Sequence, residues 1–321
     1  MLNQIREVSL FARGLIATVL FFVIYFSLAA TLGWQNAAAW EPSIGEISRW
    51  CERVRAGPIR EPVNALSNVA FMMAGLWMLW ILGKEKRTEA DWFKGSHPVA
   101  VLYACAVWFL GPGSLVMHGT HAAWGGWLDN LSMVSFILIP WMVNLTQLGR
   151  HSLAQFFIAY FAVVAAYGLL RGYFGWGLGI NLDLFGLSIA LWIISESLYR
   201  FWSPWYRWLS GLVGFIVAIV FGLSPVTMIE NPGNYWWVIL FWLPALIARH
   251  PTERRRDYLP WFFMGVSFYL LAFVIWQTGR TGHPSCNPDS LIQAHGIWHL
   301  MTALATVCFF VFLRTEAKHD R

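Results

Sequence analysis

The chain has 321 residues, of which 58% are hydrophobic and only 12% are charged, and its mean hydropathy is +0.53. A soluble domain carries about twice that share of charged residues. The charges are therefore too few to coat a water-facing surface, and lipid must be the solvent for most of the chain. The 21 tryptophans fit this interpretation, because Trp collects at membrane interfaces. The net charge of +5 forms no basic stripe with base-stacking aromatics, so no nucleic-acid partner is expected.

Arg6 and Arg13 precede an apolar run of about 18 residues at 15–32, which predicts an uncleaved membrane helix. The alternative is a signal peptide cleaved near Ala29-Ala30. Similar apolar windows repeat along the chain and predict an all-α polytopic membrane protein of about ten spans. The predicted spans are approximately 12–33, 62–83, 98–118, 127–147, 153–171, 177–198, 208–226, 234–249, 258–277 and 294–313.

Basic residues concentrate after the even-numbered spans, which places both termini in the cytoplasm by the positive-inside rule. These residues are Lys84, Lys86, Arg87, Lys94, Arg150, Arg200, Arg207, Arg249, Arg254, Arg255, Arg256, Arg314, Lys318 and Arg321. The first outer loop is an exception, because it carries four arginines together with four glutamates. The alternation favours ten spans or another even count. The membrane is either a bacterial inner membrane or a eukaryotic endomembrane.

This orientation brings His118, Asp129, His295 and His299 to the non-cytoplasmic face. His295 and His299 are four residues apart, so both rings lie on one helix face and can share a metal with a third ligand from elsewhere. The alternative is an interfacial pair that hydrogen-bonds to headgroups or backbone. An isolated carboxylate such as Asp129 at this depth needs a cation, a proton or a metal site as its partner.

Further polar residues and glycines lie within or near the predicted spans. Ser114 shares a helix face with His118, although a hydrogen bond to its own helix would also explain it. Gly111 and Gly113 permit close helix approach, and His121 is expected in a loop outside the site. Asp183 and Glu196 have no predicted partner.

The first outer loop and second span add a polar face and a cysteine. Glu61, Asn64 and Asn68 share a helical face. A helix cap and interhelical hydrogen bonds are a sufficient account of Asn64, Ser67 and Asn68. Cys51 and Cys286 both fall in outer loops, where an oxidising compartment would allow a disulfide. Cys105 and Cys308 lie within spans and are expected to be packing residues.

Together these clusters resemble the alkaline ceramidase family, within the seven-helix membrane hydrolases that include the adiponectin-receptor-like proteins. The matching pieces are Trp50-Cys51-Glu52, Glu61 with Asn64 and Ser67-Asn68, Ser114-x-x-x-His118, Asp129, and His295-x-x-x-His299. The resemblance implies a ceramidase-like domain over 50–321, preceded by an N-terminal transmembrane helix and outer loop over 1–49. It implies a seven-helix hydrolase core, to which this chain adds about three helices.

The resemblance also implies two metal sites and a disulfide. Zinc would be held by His118, His295 and His299, with Ser114 and Asp129 as polar partners in the site. The disulfide would join Cys51 to Cys286. A calcium site would use Glu52, Glu61 and the backbone of Trp50, but Arg49 stands where an acidic ligand is expected and Val54 where an amide is expected. These departures argue against calcium.

The implied activity is hydrolysis of the amide bond of ceramide or a related N-acyl lipid to a fatty acid and a sphingoid base or other amine. Asp129 would accept the proton of the attacking water or orient a ligand histidine, and Ser114 would stabilise the oxyanion. The alternatives are another lipid hydrolase, a non-catalytic lipid receptor or carrier with a structural zinc, and a transporter, although no clear internal repeat is seen. No protein partner is predicted.

Overall fold

The computed structural model describes residues 9–34, 38, 41–86 and 91–318. Three of the basic residues used in the sequence analysis, Arg6, Arg87 and Arg321, lie outside this part of the chain. The described residues are mostly helical, which confirms the all-α polytopic class. The two strands, β1 (Arg254–Arg255) and β2 (Ala317–Lys318), are each two residues long.

Within the described ranges, eight helical segments are long and apolar enough to cross a membrane. They are α1 (Leu10–Thr31), α2 with α3 (Pro62–Leu66 and Val69–Lys84), α4 (Pro98–Thr120), α5 (Ala123–Leu148), α6 (Leu153–Phe174), α7 (Leu184–Phe201), α13 (Trp261–Thr278) and α14 (Ala294–Arg314). Between them lie the loop at 41–61, which is the first outer loop of the predicted topology, a short 3₁₀ helix (Trp176–Gly179) and the loop at 279–293, which is the second outer loop of that topology.

The chain between α7 and α13 differs from the prediction. The expected spans at 208–226 and 234–249 are not single long helices but a series of short ones. These are α8 (Pro204–Leu209), α9 (Leu212–Val220), α10 (Pro225–Glu230), α11 (Pro232–Tyr235), a 3₁₀ helix (Trp236–Trp242) and α12 (Leu243–Ile247). Three of them begin at a proline, which is favoured at a first helical position and cannot continue a preceding helix.

The chain divides into two compact units, and the first contains residues 1–132 and 256–317. In this unit α3 packs against α4 and α13 against α14. The approach of α4 depends on glycine as predicted, because a Cβ on Gly111 would lie 2.5 Å from Met72 Cγ and 2.9 Å from the Asn68 carbonyl oxygen. Helix α1 contacts α3, and Trp108 donates a hydrogen bond of 2.8 Å to Thr18.

The second unit contains residues 133–255 and 318–321. Its long helices are α6, α7 and the second half of α5, and α7 contacts α9 and α12. Glu196 on α7 has the partner that the sequence could not supply, because Asn144 donates a hydrogen bond of 2.9 Å to its carboxylate. Asp183 caps α7 by accepting a hydrogen bond from the Gly186 backbone at 3.0 Å. The predicted boundary at residue 49 follows neither unit and stays a prediction.

Candidate metal centre

The C-terminal end of α4 and the N-terminal end of α14, both in the first unit, bring three histidines together. His118 lies in the last turn of α4, and His295 and His299 lie on one face of the first turns of α14. All three side chains are buried. One nitrogen from each ring can be chosen so that the three atoms lie within 4.8 Å of one another. The structure thus brings together the three residues that the sequence singled out as metal ligands.

The hydrogen bond of His118 to Glu61 orients its ring. Its Nδ1 lies 3.0 Å from Glu61 Oε2, and a carboxylate can only accept, so Nδ1 carries the proton. The lone pair of His118 is therefore on Nε2. That atom lies 3.1 Å from His295 Nε2, and two facing ring nitrogens at this distance require a proton or a cation between them.

His299 is held in the same tautomer by a hydroxyl group. Ser67 donates its single proton to the backbone carbonyl of Asn64 at 2.9 Å. Its oxygen can then only accept from His299 Nδ1, which lies 2.8 Å away. The lone pair of His299 consequently lies on Nε2, as it does in His118. In the sequence, Ser67 was explained by interhelical hydrogen bonding alone, and nothing there showed which histidine it contacts.

The third ring, His295, is fixed by stacking. Trp50 lies parallel to it with the ring centroids 4.5 Å apart and an interplanar angle of 5°. Its Nδ1 is buried without a hydrogen-bond partner among the described residues. One proton can bridge two nitrogens but not three, whereas zinc binds three histidine nitrogens and keeps a fourth position open. The donor set therefore fits zinc.

Asp129 and Ser114 lie at the same centre. Asp129, near the start of α5, is 9% exposed and hydrogen-bonds with the hydroxyl of Ser114 on α4. Its carboxylate is close enough to His118 for electrostatic attraction between them. The arrangement places a carboxylate beside the three histidines, where it can accept a proton or orient a water molecule.

His121 corrects one expectation from the sequence. It follows the last residue of α4, as expected of a loop residue, but its side chain is buried and its Nε2 lies 2.6 Å from Glu61 Oε1. Burial raises the pKa of a carboxyl group, but His118 and His121 outweigh it at Glu61 and hold that pKa well below its usual range. No spacing in the sequence indicates this contact, because it depends on the left-handed backbone conformation of His121.

The residues that would correspond to a calcium site make hydrogen bonds within the protein. Both oxygens of Glu52 accept hydrogen bonds of 2.8 Å from the backbone N–H groups of Val63 and Asn64, which begin the short helix α2. Both oxygens of Glu61 are also occupied. Calcium requires six to eight oxygen ligands. Here each of the four carboxylate oxygens already accepts a hydrogen bond, and the Val54 side chain is buried and has no polar atom.

A disulfide and polar contacts join the two outer loops beside the histidines. Cys51 and Cys286 form the predicted disulfide. Next to it, Arg53 makes an ion pair with Asp289 at 2.8 Å, and the Thr281 hydroxyl hydrogen-bonds to the Ser48 carbonyl. These links hold Trp50, the residue before Cys51, over the ring of His295.

A comparison of the sequence with known protein families tests the resemblance. A family model described as Ceramidase matches residues 47–320. The chain belongs to the ceramidase family. This membership confirms the resemblance and indicates a hydrolase that acts on amide bonds, with a membrane lipid of the ceramide type as substrate. A comparison with curated proteins gives no match.

Proposed function

We propose that this ceramidase-family protein is a zinc-dependent membrane hydrolase that cleaves the amide bond of ceramide or a related N-acyl lipid. The products are a fatty acid and an amine such as a sphingoid base. The observation that carries the proposal is the centre formed by His118, His295 and His299, in which one nitrogen from each ring lies within 4.8 Å of the others. Family membership supports the choice of an amide as the bond that is cleaved.

His118 and His299 would hold the metal through Nε2, because their Nδ1 atoms hydrogen-bond to Glu61 and Ser67, and His295 would use the Nε2 atom that faces His118. When bound, zinc supplies a Lewis acid and an open position at which the pKa of water falls to about 7. Glu61 and Ser67 keep two of the rings in the tautomer that this requires. Such partners of a ligand histidine fix its orientation and raise its basicity.

Asp129 is the proposed general base. Its carboxylate is buried at the centre and accepts the proton of the water that attacks the amide carbonyl. It then returns the proton to the leaving amine. Ser114 has a single hydroxyl proton, which cannot serve the carboxylate and an oxyanion at the same time. Its contact with Asp129 favours a role in positioning the base over the predicted role at the oxyanion.

The helix that carries two of the ligands also exposes apolar surface. Leu300 and Leu304 on α14 follow His299 by one and five residues, and both are about half exposed. In a bilayer such side chains contact lipid. The acyl chains of a substrate can therefore lie against the helix that carries two of the metal ligands.

The proposal is tested by mass spectrometry of the products formed from a panel of ceramides and other N-acyl lipids, with the zinc content of each protein measured in parallel. We expect Asp129→Asn to lower kcat by about 10²–10⁴-fold, the usual contribution of a general base, and to keep one zinc per chain. His299→Ala should lose both zinc and activity. Asp183→Asn is the matched control, because this carboxylate caps a helix in the second unit.

Two results would contradict the assignment. Full activity in Asp129→Asn would show that this carboxylate is not the base. A wild-type protein that holds one zinc per chain but releases no fatty acid from any lipid of the panel would favour the non-catalytic lipid receptor or carrier. That rival requires a closed site with no exchangeable water.

A further inference from the structure

Glu61 hydrogen-bonds to His121 on the side that faces away from the three histidines. The family resemblance does not account for this contact. Glu61 Oε2 accepts from His118 at 3.0 Å and from the Asn64 side chain at 2.8 Å. Glu61 Oε1 accepts from His121 Nε2 at 2.6 Å. One buried carboxylate thus bridges a metal ligand and a second imidazole.

The backbone fixes His121 in this position. The residue follows the last turn of α4 with φ of 56°, a left-handed conformation in which His, Asn and Asp are enriched. Its N–H hydrogen-bonds to the Met117 carbonyl at 3.0 Å, and its own carbonyl accepts from the Ala38 N–H at 2.9 Å. The imidazole is consequently held against Glu61 by the end of the helix and not by a mobile loop.

Basic side chains continue this contact outward. His121 Nδ1 lies 4.0 Å from Glu41 Oε2, and Arg49 Nη2 lies 3.6 Å from Glu41 Oε1. Arg49 is the residue at the position where an acidic calcium ligand was expected. The region next to the zinc centre therefore has an imidazole against Glu61 and a guanidinium beside Glu41, whereas a calcium site would have further oxygen ligands there.

We propose that His121 takes the structural place of a calcium ion beside the zinc centre. It is a positioning residue that donates to Glu61 and so holds the carboxylate against His118. Zinc binding and hydrolysis in this protein accordingly require no calcium. The statement about hydrolysis rests on the proposed function, whereas the statements about zinc and calcium binding do not.

The positioning role is tested by the zinc affinity of the full-length protein in detergent, measured by competition with a chelator. His121→Asn suits the left-handed backbone, but its amide nitrogen corresponds to Nδ1 and falls short of Glu61. His121→Gln places an amide nitrogen near the position of Nε2. We expect Asn to weaken zinc binding by about 10–100-fold, the usual effect of losing such a partner, and Gln to recover most of the loss.

His151→Asn is the matched control, because this histidine is exposed in the loop between α5 and α6. Wild-type zinc affinity in His121→Asn would overturn the positioning role. Equal loss in the Asn and Gln variants, as expected from a general structural defect, would also overturn it. If the His121→Asn protein does not fold, two measurements test the proposal instead. These are the zinc affinity of His121→Gln and the calcium binding of the wild-type protein.

Calcium itself is tested by equilibrium dialysis of the zinc-loaded wild-type protein against radioactive calcium chloride, with magnesium chloride as competitor. We expect no stoichiometric binding at about 0.1 mM free calcium, the tight end of the range for extracellular calcium modules. One calcium per chain at that concentration would overturn the proposal. Neither binding measurement uses turnover, so a failure of the proposed hydrolase function would be recognised separately.

Discussion

At the scale of single residues, the candidate zinc centre depends on where a few protons lie. His118 and His299 each donate from Nδ1, one to a carboxylate and one to a hydroxyl whose own proton is already used. Both rings therefore present an unprotonated nitrogen toward the centre. A metal-ligand histidine is a good ligand only in the right tautomer, so Glu61 and Ser67 contribute to affinity without touching the metal.

Removal of the Ser67 hydroxyl should weaken zinc binding. Ser67→Ala removes the hydroxyl oxygen that accepts a hydrogen bond from His299 Nδ1, so the tautomer that binds metal loses a stabilising partner. We expect the dissociation constant for zinc to rise by about 10-fold or more, measured by chelator competition. Ser188→Ala is the matched control, because Ser188 is also buried and its hydroxyl has no hydrogen-bond partner in the described part of the chain. Equal affinities in the two variants would argue against a role for Ser67.

The sequence predicted the members of the centre better than their contacts. Span orientation alone brought His118, His295 and His299 to one face, and the structure places them together. It could not predict that His121 reaches Glu61, because this depends on the left-handed turn that ends α4. Helix-end conformations are set by tertiary contacts that a helical periodicity does not contain.

At the scale of helices, the position of His118 depends on how closely α4 approaches α3. A Cβ on Gly75 would lie 2.6 Å from Trp108 Cβ and 2.7 Å from the Trp108 backbone nitrogen. A backbone atom cannot move aside as the end of a flexible side chain can. The two helices therefore pack at a distance that only glycine allows at this position.

Gly75→Ala should destabilise the protein although alanine is the better helix former. We expect a loss of about 1–3 kcal/mol, the usual cost of overpacking, measured from the midpoint of thermal unfolding in detergent. Gly83→Ala on the same helix is the matched control, because its Cβ would meet only Leu10 Cβ at 3.9 Å. Helix propensity should make that variant neutral or more stable by up to about 1 kcal/mol. A stable Gly75→Ala protein would show that α3 and α4 have room to separate.

Helix continuity was less predictable than helix position. Hydropathy indicates which stretches are apolar, and it predicted the long helices that carry the centre. Between α7 and α13 the same signal predicted two spans where the structure has a series of short helices. Pro225, Pro232 and Pro244 each lie at the start of a new helix there, because proline lacks the N–H that a continuing helix would need. Hydropathy averaged over a window does not register such breaks.

At the scale of the whole molecule, the charge pattern makes a prediction about the two faces of the membrane. An even number of spans returns both termini to one side, and the basic loops place that side in the cytoplasm. The loops joined by Cys51 and Cys286 then lie on the opposite side, where an oxidising compartment allows the disulfide. The candidate zinc centre adjoins these loops and is predicted to open to the same side.

This orientation is tested with single cysteines introduced into a Cys105→Ala, Cys308→Ala background and labelled with a membrane-impermeant maleimide. Lys86→Cys lies in an exposed position after α3, and Leu291→Cys lies in the exposed second outer loop. We expect Leu291→Cys to react in intact cells and Lys86→Cys to react only after permeabilisation. The background protein without an introduced cysteine is the control, because its disulfide does not react with maleimide. Labelling of Lys86→Cys alone in intact cells would reverse the orientation and place the candidate centre on the cytoplasmic side.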